Sequence, residues 1–163
     1  DLCGSRAMKP SEHPESFRLA PPDGTSREST IRLDGEGAFW HDGERVERGA
    51  LESALHRWIA RHPDDDRYIL TNGYDWTYFT VDDVPYFVRS VSADEPDDPE
   101  AAPRLWLSDG SSELLDPATA SVDGRDALYC RVRAGAFDAR FDRHAQTLLA
   151  PWLDVDEIGR AHV

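Results

Sequence analysis

Three side chains have the means to hold a metal ion or polarise a bond: His41, Asp82 and Asp83. Neighbouring residues on a strand point to opposite faces, so Asp82 and Asp83 do not readily share a proton as a catalytic dyad does. At a bulge both could reach one cation. The favoured reading is an edge-protecting charge, because Asp82-Asp83-Val84-Pro85 contains a proline that cannot donate to a ladder and so belongs at an edge or bulge. His41 precedes Asp42-Gly43 at a hairpin tip, where an imidazole ordinarily faces water; Trp40 and Arg48 would give it the edge of a polar–aromatic pocket. The run Asp64-Asp65-Asp66 and the acidic stretch 94–98 lack the alternating aspartates and glycine of a calcium loop and read as solvated charge. His56 and His62 stand six apart, a spacing that does not align them on a helix. No G-x-S-x-G elbow, H-E-x-x-H, G-x-G-x-x-G or P-loop occurs. No catalytic residue, metal ligand or cofactor is assigned. A metal-assisted hydrolase using His41, Asp82 and Asp83 is the alternative reading.

The positive feature is cationic. Arg131, Arg133 and Arg140 share a strand pair with Tyr129, and arginines beside an aromatic suit a carboxylate or phosphate. Internal pairing competes with that role: Arg131 with Asp138, and Arg140 over Tyr129.

The 163 residues carry 18 basic and 32 acidic side chains, a formal charge of −14. That balance disfavours nucleic acid and anionic membrane surfaces, whose binding is driven by clustered Lys and Arg. Hydrophobic residues make up 39%, which is globular rather than disordered, and no apolar run approaches a membrane span. The single lysine, Lys9, falls in the leader, which argues against Schiff-base or P-loop lysine chemistry. Cys3 and Cys130 cannot build a disulfide framework or a four-ligand zinc cluster; with no signal peptide in the sequence as given, a reducing, cytoplasmic setting is expected. The only methionine, Met8, is a candidate start. The Arg- and Asp-rich, Lys-poor composition fits a GC-rich genome more simply than a salt-adapted surface.

These residues must be positioned by hairpins and two helices. Residues 1–29, rich in proline and polar side chains, read as a disordered leader in which only Phe17 and Leu19 could dock. Ile31–Leu33 reads as a strand. A hairpin about Asp42-Gly43 pairs His41 with Glu44, Trp40 with Arg45 and Phe39 with Val46. A helix over Arg48–Arg61 follows, with Leu51, Leu55, Trp58, Ile59 and His62 as its apolar stripe. Arg67–Val91 is a strand-rich aromatic block with a turn at Asn72-Gly73 of more than two residues. Residues 94–103 read as an acidic, proline-rich linker between an N-terminal half (30–93) and a C-terminal half (104–163). In the second half Arg104–Leu115 forms a hairpin about Asp109-Gly110. Leu128–Val132 pairs with Phe137–Phe141 so that Leu128, Cys130, Val132, Phe137, Ala139 and Phe141 share one face and Tyr129, Arg131, Asp138 and Arg140 the other. A helix over Arg143–Leu153 turns Ala145, Leu148, Leu149 and Trp152 inward, with Pro151 shortening or kinking it. Gly37-Ala38-Phe39 and Gly135-Ala136-Phe137 hint at an internal repeat. The fold class is α+β: mainly antiparallel strands with two helices, in two hairpin–helix half-units.

Ile31-Arg32, Gly37-Ala38-Phe39-Trp40-His41-Asp42-Gly43, Arg48, Asp66-Arg67-Tyr68, Thr71 and Val81-Asp82-Asp83-Val84-Pro85-Tyr86 together resemble the bacterial domain-of-unknown-function family 1285. The likeness extends to Ala139-Arg140-Phe141 and covers about residues 30–153. Thr71-Asn72 stands where that family usually has Thr-Pro. The resemblance implies a two-part α+β fold with repeated motifs, no established activity, and a signalling or ligand-sensing role. The function expected is a non-catalytic cytoplasmic module that binds a small molecule or a protein partner between its halves. The candidate contacts are Trp40, His41, Thr71, Trp76, Asp83, Tyr86, Arg131 and Arg140.

Overall fold

A computed structural model of the chain describes residues 9–10, 12–155 and 161–162. Cys3 and Met8 lie outside them. The chain divides into two units, Asp1–Asp83 and Val84–Val163. The division therefore falls in the Asp82-Asp83-Val84-Pro85 segment and not in 94–103, which connects two adjacent strands of a single sheet. The reason is pairing: the strand after Pro85 finds its partners in the C-terminal half.

The first unit holds β1 (Arg32–Leu33), β2 (Phe39–His41), β3 (Glu44–Arg45), α1 (Gly49–Arg57), β4 (Ile59–Arg61), β5 (Tyr68–Thr71), β6 (Trp76–Tyr78) and β7 (Thr80–Val81). One sheet has the order β3-β2-β1-β7, antiparallel except where β7 returns parallel to β1; the other is the antiparallel β4-β5-β6. The first hairpin has the expected register, Trp40 opposite Arg45 and His41 opposite Glu44, and the Val46 N–H bonds to the Phe39 carbonyl. Asp42 and Gly43 both take positive φ, 52° and 79°, as a two-residue turn of this hand requires. Leu33 and Phe39 are fully buried on its inner face.

The expected helix over Arg48–Arg61 is corrected to Gly49–Arg57. Trp58 caps it, and Ile59, Ala60 and Arg61 form a strand opposite Leu70, Ile69 and Tyr68. An apolar stripe that ends in a β-branched residue is compatible with either state, and the available ladder partner decided between them. Leu51 is exposed as a result, while His62 is buried beyond the strand. The turn at Asn72-Gly73 spans four residues, with Thr71 opposite Trp76.

The disordered leader expected over 1–29 is also corrected for its described part. Residues Pro14–Arg18 form a short 3-10 helix whose Phe17 is only 3% exposed, packed with Ile69 and Trp76. The Tyr78 N–H bonds to the Arg27 carbonyl, tying the segment to β6. Leu19 stays in solvent.

The second unit holds β8 (Tyr86–Ser92), β9 (Arg104–Leu107), β10 (Ser112–Leu114), β11 (Ser121–Val122), β12 (Leu128–Val132), β13 (Phe137–Phe141) and α2 (Arg143–Leu149), followed by the short strands Asp154–Val155 and Ala161–His162. Its six-stranded sheet runs β10-β9-β8-β13-β12-β11, with β8 and β13 parallel. The β12–β13 register is the expected one: Tyr129 faces Arg140, Cys130 faces Ala139, and Arg131 faces Asp138. Leu128, Cys130, Val132, Ala139 and Phe141 are buried, whereas Phe137 is half-buried. The Asp142 carboxylate caps α2 by accepting the Ala145 N–H at 2.8 Å. Pro151 ends the helix early: Ala150–Trp152 is a 3-10 turn, and Ala145 and Leu149 are buried while Leu148 and Trp152 are half-buried.

The loop joining β12 to β13 is strained. Arg133, Ala134 and Gly135 all take positive φ, at 57°, 58° and 83°. The Arg133 N–H donates to the Glu113 carboxylate at 3.0 and 3.2 Å, which helps to hold that geometry. Ala134→Gly is expected to stabilise the protein by about 0.5–1 kcal/mol, the relief of a left-handed alanine less the added freedom of the unfolded chain. Urea denaturation of the variant checks this; a loss of stability would show that the methyl group packs.

A repeat joins the two units, though not the one hinted at by Gly-Ala-Phe. Asp34 Oδ1 accepts the N–H groups of Glu36 and Ala38, and Asp123 Oδ1 accepts those of Arg125 and Ala127, all at 2.8–2.9 Å. The Asp34 N–H returns to the Ala38 carbonyl, and the Asp123 N–H to that of Ala127. Each loop follows a two-residue strand and leads into a hairpin and a helix. Asp34-Gly35-Glu36-Gly37-Ala38 and Asp123-Gly124-Arg125-Asp126-Ala127 are the sequence trace of that repeat.

Candidate functional site

The alternation of β12 and β13 turns Tyr129, Arg131, Asp138 and Arg140 onto one face of the six-stranded sheet. The Arg140 guanidinium lies over the Tyr129 ring at 5.9 Å. Arg131 reaches Asp138 at 3.5 Å and the Gly135 carbonyl at 3.2 Å, and both members of that ion pair are half exposed (58% and 50%). A pair so long and so wet holds its partners weakly. The internal pairing anticipated from the sequence is therefore present, and it leaves Arg131 exchangeable.

Tyr86 does not join this face. It sits opposite Ala139 in the parallel β8–β13 pair, so its side chain points with the buried row, 1% exposed, with the Phe137 ring at 5.1 Å and the Arg133 guanidinium at 5.7 Å. Burial pushes the Tyr86 phenol above its ordinary value, and the nearby Arg133 works the other way. Arg133 also approaches Asp109 at 3.6 Å, whose carboxylate accepts from the Ser111 N–H and hydroxyl. Asp109 and Glu113 were not anticipated as neighbours of Arg133; the positive-φ loop that brings them to it has no glycine at Arg133 or Ala134 to signal it. Cys130 is 2% exposed and its thiol is pushed up to about 12 by burial, so it is no nucleophile at neutral pH.

The first unit builds a comparable cluster on its four-stranded sheet. Asp34 Oδ2 accepts the Trp40 indole N–H at 2.8 Å, and the Arg32 guanidinium lies over the Trp40 ring at 5.4 Å while pairing with Asp82. Asp83 lies beside the same loop, its Cβ 4.0 Å from where a Cβ on Gly35 would stand. Acid, aromatic and arginine thus recur in both units: Asp34, Trp40 and Arg32, then Asp123, Tyr129 and Arg140. Arginine comes from the neighbouring strand each time, opposite the aromatic residue. His41 leaves this cluster for the hairpin tip, 3.5 Å from Asp42.

Thr71 and Trp76 belong to the other sheet of that unit. Thr71 Oγ1 donates to the Asp75 carbonyl and accepts the Gly73 N–H, which is turn chemistry. Trp76 is buried in the cluster with Phe17 and Ile69, which is core.

The fold has counterparts among solved structures. A DUF1285 family protein from Silicibacter pomeroyi DSS-3 superposes with a TM-score of 0.63 over 88% of this chain and 84% of that one, at 17% identity. A second, from Shewanella baltica OS155, gives 0.58 over 77% of this chain and 94% of that one, at 15% identity. The chain has the DUF1285 fold. No family model matches the sequence, and no curated protein matches it. Within the DUF1285 fold the accessible arginine–aromatic pairs Arg32–Trp40 and Arg140–Tyr129 of this chain lie on its two hairpins.

Proposed function

We propose that this chain is a non-catalytic cytoplasmic binding module with a signalling role. The face carrying Tyr129, Arg131 and Arg140 receives the carboxylate or phosphate of a small molecule or of a protein partner. One observation carries this reading. Two guanidinium groups and a phenol share a face in a molecule of net charge −14, and Arg131 is held by a long, half-exposed ion pair and one exposed bond to the Gly135 carbonyl. Exchanging Asp138 for a bidentate anionic ligand costs little and gains a stronger contact. The alternative, a hydrolase using His41, Asp82 and Asp83, draws no support from geometry. His41 turns to Asp42, Asp82 to Arg32, and among the described residues no group of three metal-ligating side chains converges. Among the same residues no helix is long and apolar enough to cross a membrane.

A thermal-shift screen with nucleotides, organic acids and divalent metals tests both readings. The melting temperature should rise with one anionic class and fail to rise with that class in Arg131→Ala. A rise with metals alone, retained in Arg131→Ala and lost in Asp82→Asn, would replace the binding module with the hydrolase.

A further inference from the structure

The three-stranded sheet of the first unit offers a second surface, remote in chemistry from the arginine face. Its floor is Ile69, Trp76, Ala60 and Tyr78, and Phe17 of the chain's own N-terminal segment lies on it, 6.3 Å from the Trp76 ring. Its rim is acidic. Asp64 accepts a forked pair from Arg18, with contacts of 2.6, 2.8 and 3.0 Å, and Asp65 accepts the Tyr78 hydroxyl at 2.7 Å. His62 supplies a backbone clamp. Its Nδ1 accepts the Asp64 N–H at 3.1 Å, so the proton sits on Nε2, which donates to the Phe17 carbonyl at 2.8 Å. An aromatic floor, a carbonyl hook and a carboxylate at the next position form a reader for one pattern: an aromatic residue followed by arginine.

We propose that this groove binds an aromatic–arginine segment of a partner protein, and that residues 14–18 occupy it as an intramolecular stand-in. Two observations favour exchange over permanent burial. The segment is a five-residue 3-10 helix that buries a single apolar side chain, Phe17, while Leu19 beside it lies in solvent. The Trp76 indole N–H of the floor is also buried without a hydrogen-bond partner among the described residues. A segment that brings an acceptor to Trp76 satisfies what the stand-in leaves unmade. The forked contact at Asp64 and the charge of −14 favour a basic segment.

The probe is a synthetic peptide of residues 12–22, titrated into the full chain and followed by tryptophan fluorescence and calorimetry. Removing the competing stand-in with Phe17→Ala should tighten binding by about tenfold, because the groove is then open in every molecule. Arg18→Ala, an exposed change that leaves the core intact, should tighten it by about threefold, and Asp64→Asn added to the Phe17→Ala chain, where the stand-in no longer competes, should weaken it by a similar factor. A peptide carrying Phe17→Ala should not bind. The proposal is overturned if the Phe17→Ala chain ignores the peptide, if both single variants bind it no better than the parent, or if Phe17→Ala unfolds the chain and Arg18→Ala changes nothing. Concentration-dependent dimerisation of the parent chain, abolished by Phe17→Ala, would assign the groove to a second copy and overturn it as well.

Discussion

Replacing Phe141 by alanine is expected to remove about 3–5 kcal/mol of stability, the usual cost of deleting a buried phenylalanine. Phe141 is 1% exposed at the end of β13, opposite Val88 in the parallel pair, and α2 packs on both of those strands with Ala145 and Leu149 fully buried. Its loss opens a void in the core formed by the central parallel strands and the helix. Because domains of this size are stable by about 5–15 kcal/mol, the variant stands near the limit of folding. Phe137, half-buried at the other end of the same strand, provides the control, and Phe137→Ala should cost clearly less. Urea denaturation of both variants reads the difference. Equal costs, or a cost below about 1 kcal/mol for Phe141→Ala, would mean that β13 does not hold this register.

Asp34→Ala should cost about 2 kcal/mol, since one carboxylate satisfies three donors: the Glu36 and Ala38 backbone N–H groups and the Trp40 indole. Its effect depends on pH in a direction the site fixes. Partial burial alone would raise the carboxyl, but the Trp40, Ala38 and Glu36 donors and the Arg32 charge hold it below the ordinary value of 3.8. A carboxyl whose folded pKa is depressed contributes stability that is fully present above its unfolded value. That contribution is lost as pH falls through the folded one. The gap between parent and Asp34→Ala should therefore be constant from neutral pH down to about pH 4 and close below it. A gap that widens in acid would refute the assignment. Asp123→Ala should show the same sign with a smaller effect. Its loop makes the same two backbone bonds, its carboxyl is likewise held down by the Arg125 and Ala127 N–H groups, and it is fully exposed.

Local information was enough for the hairpins. Asp42-Gly43 demands positive φ at two positions, and alternation then places Phe39 inward and pairs Trp40 with Arg45. Alternation about the Ala134-Gly135 turn gave the β12–β13 register, and with it the row of Tyr129, Arg131 and Arg140 and the burial of Cys130. The α+β class and the early end of the last helix at Pro151 were legible for similar reasons, because turn residues, alternation and a missing N–H act over a few positions. The Asp34 and Asp123 loops were also written in the sequence, as D-G-x-x-A, and that spacing was the signal for the repeat that Gly-Ala-Phe did not provide.

What only the tertiary structure decided depends on partners distant in the chain. Ile59–Arg61 continues an amphipathic stripe, yet it is a strand because Tyr68–Leu70 offers it a ladder. Tyr86 looks like a neighbour of the arginine row. The parallel pairing of β8 with β13, a contact across some fifty residues, turns it to the buried face instead. Phe17 lies in a segment whose composition predicts disorder, and only the aromatic floor of Ile69 and Trp76 gives it a place to be buried. Turn chemistry and alternation are properties of neighbouring residues and can be read along the chain. Parallel pairing, the choice between helix and strand for a short apolar run, and the docking of a terminal segment are settled by free energy gained only when remote surfaces meet.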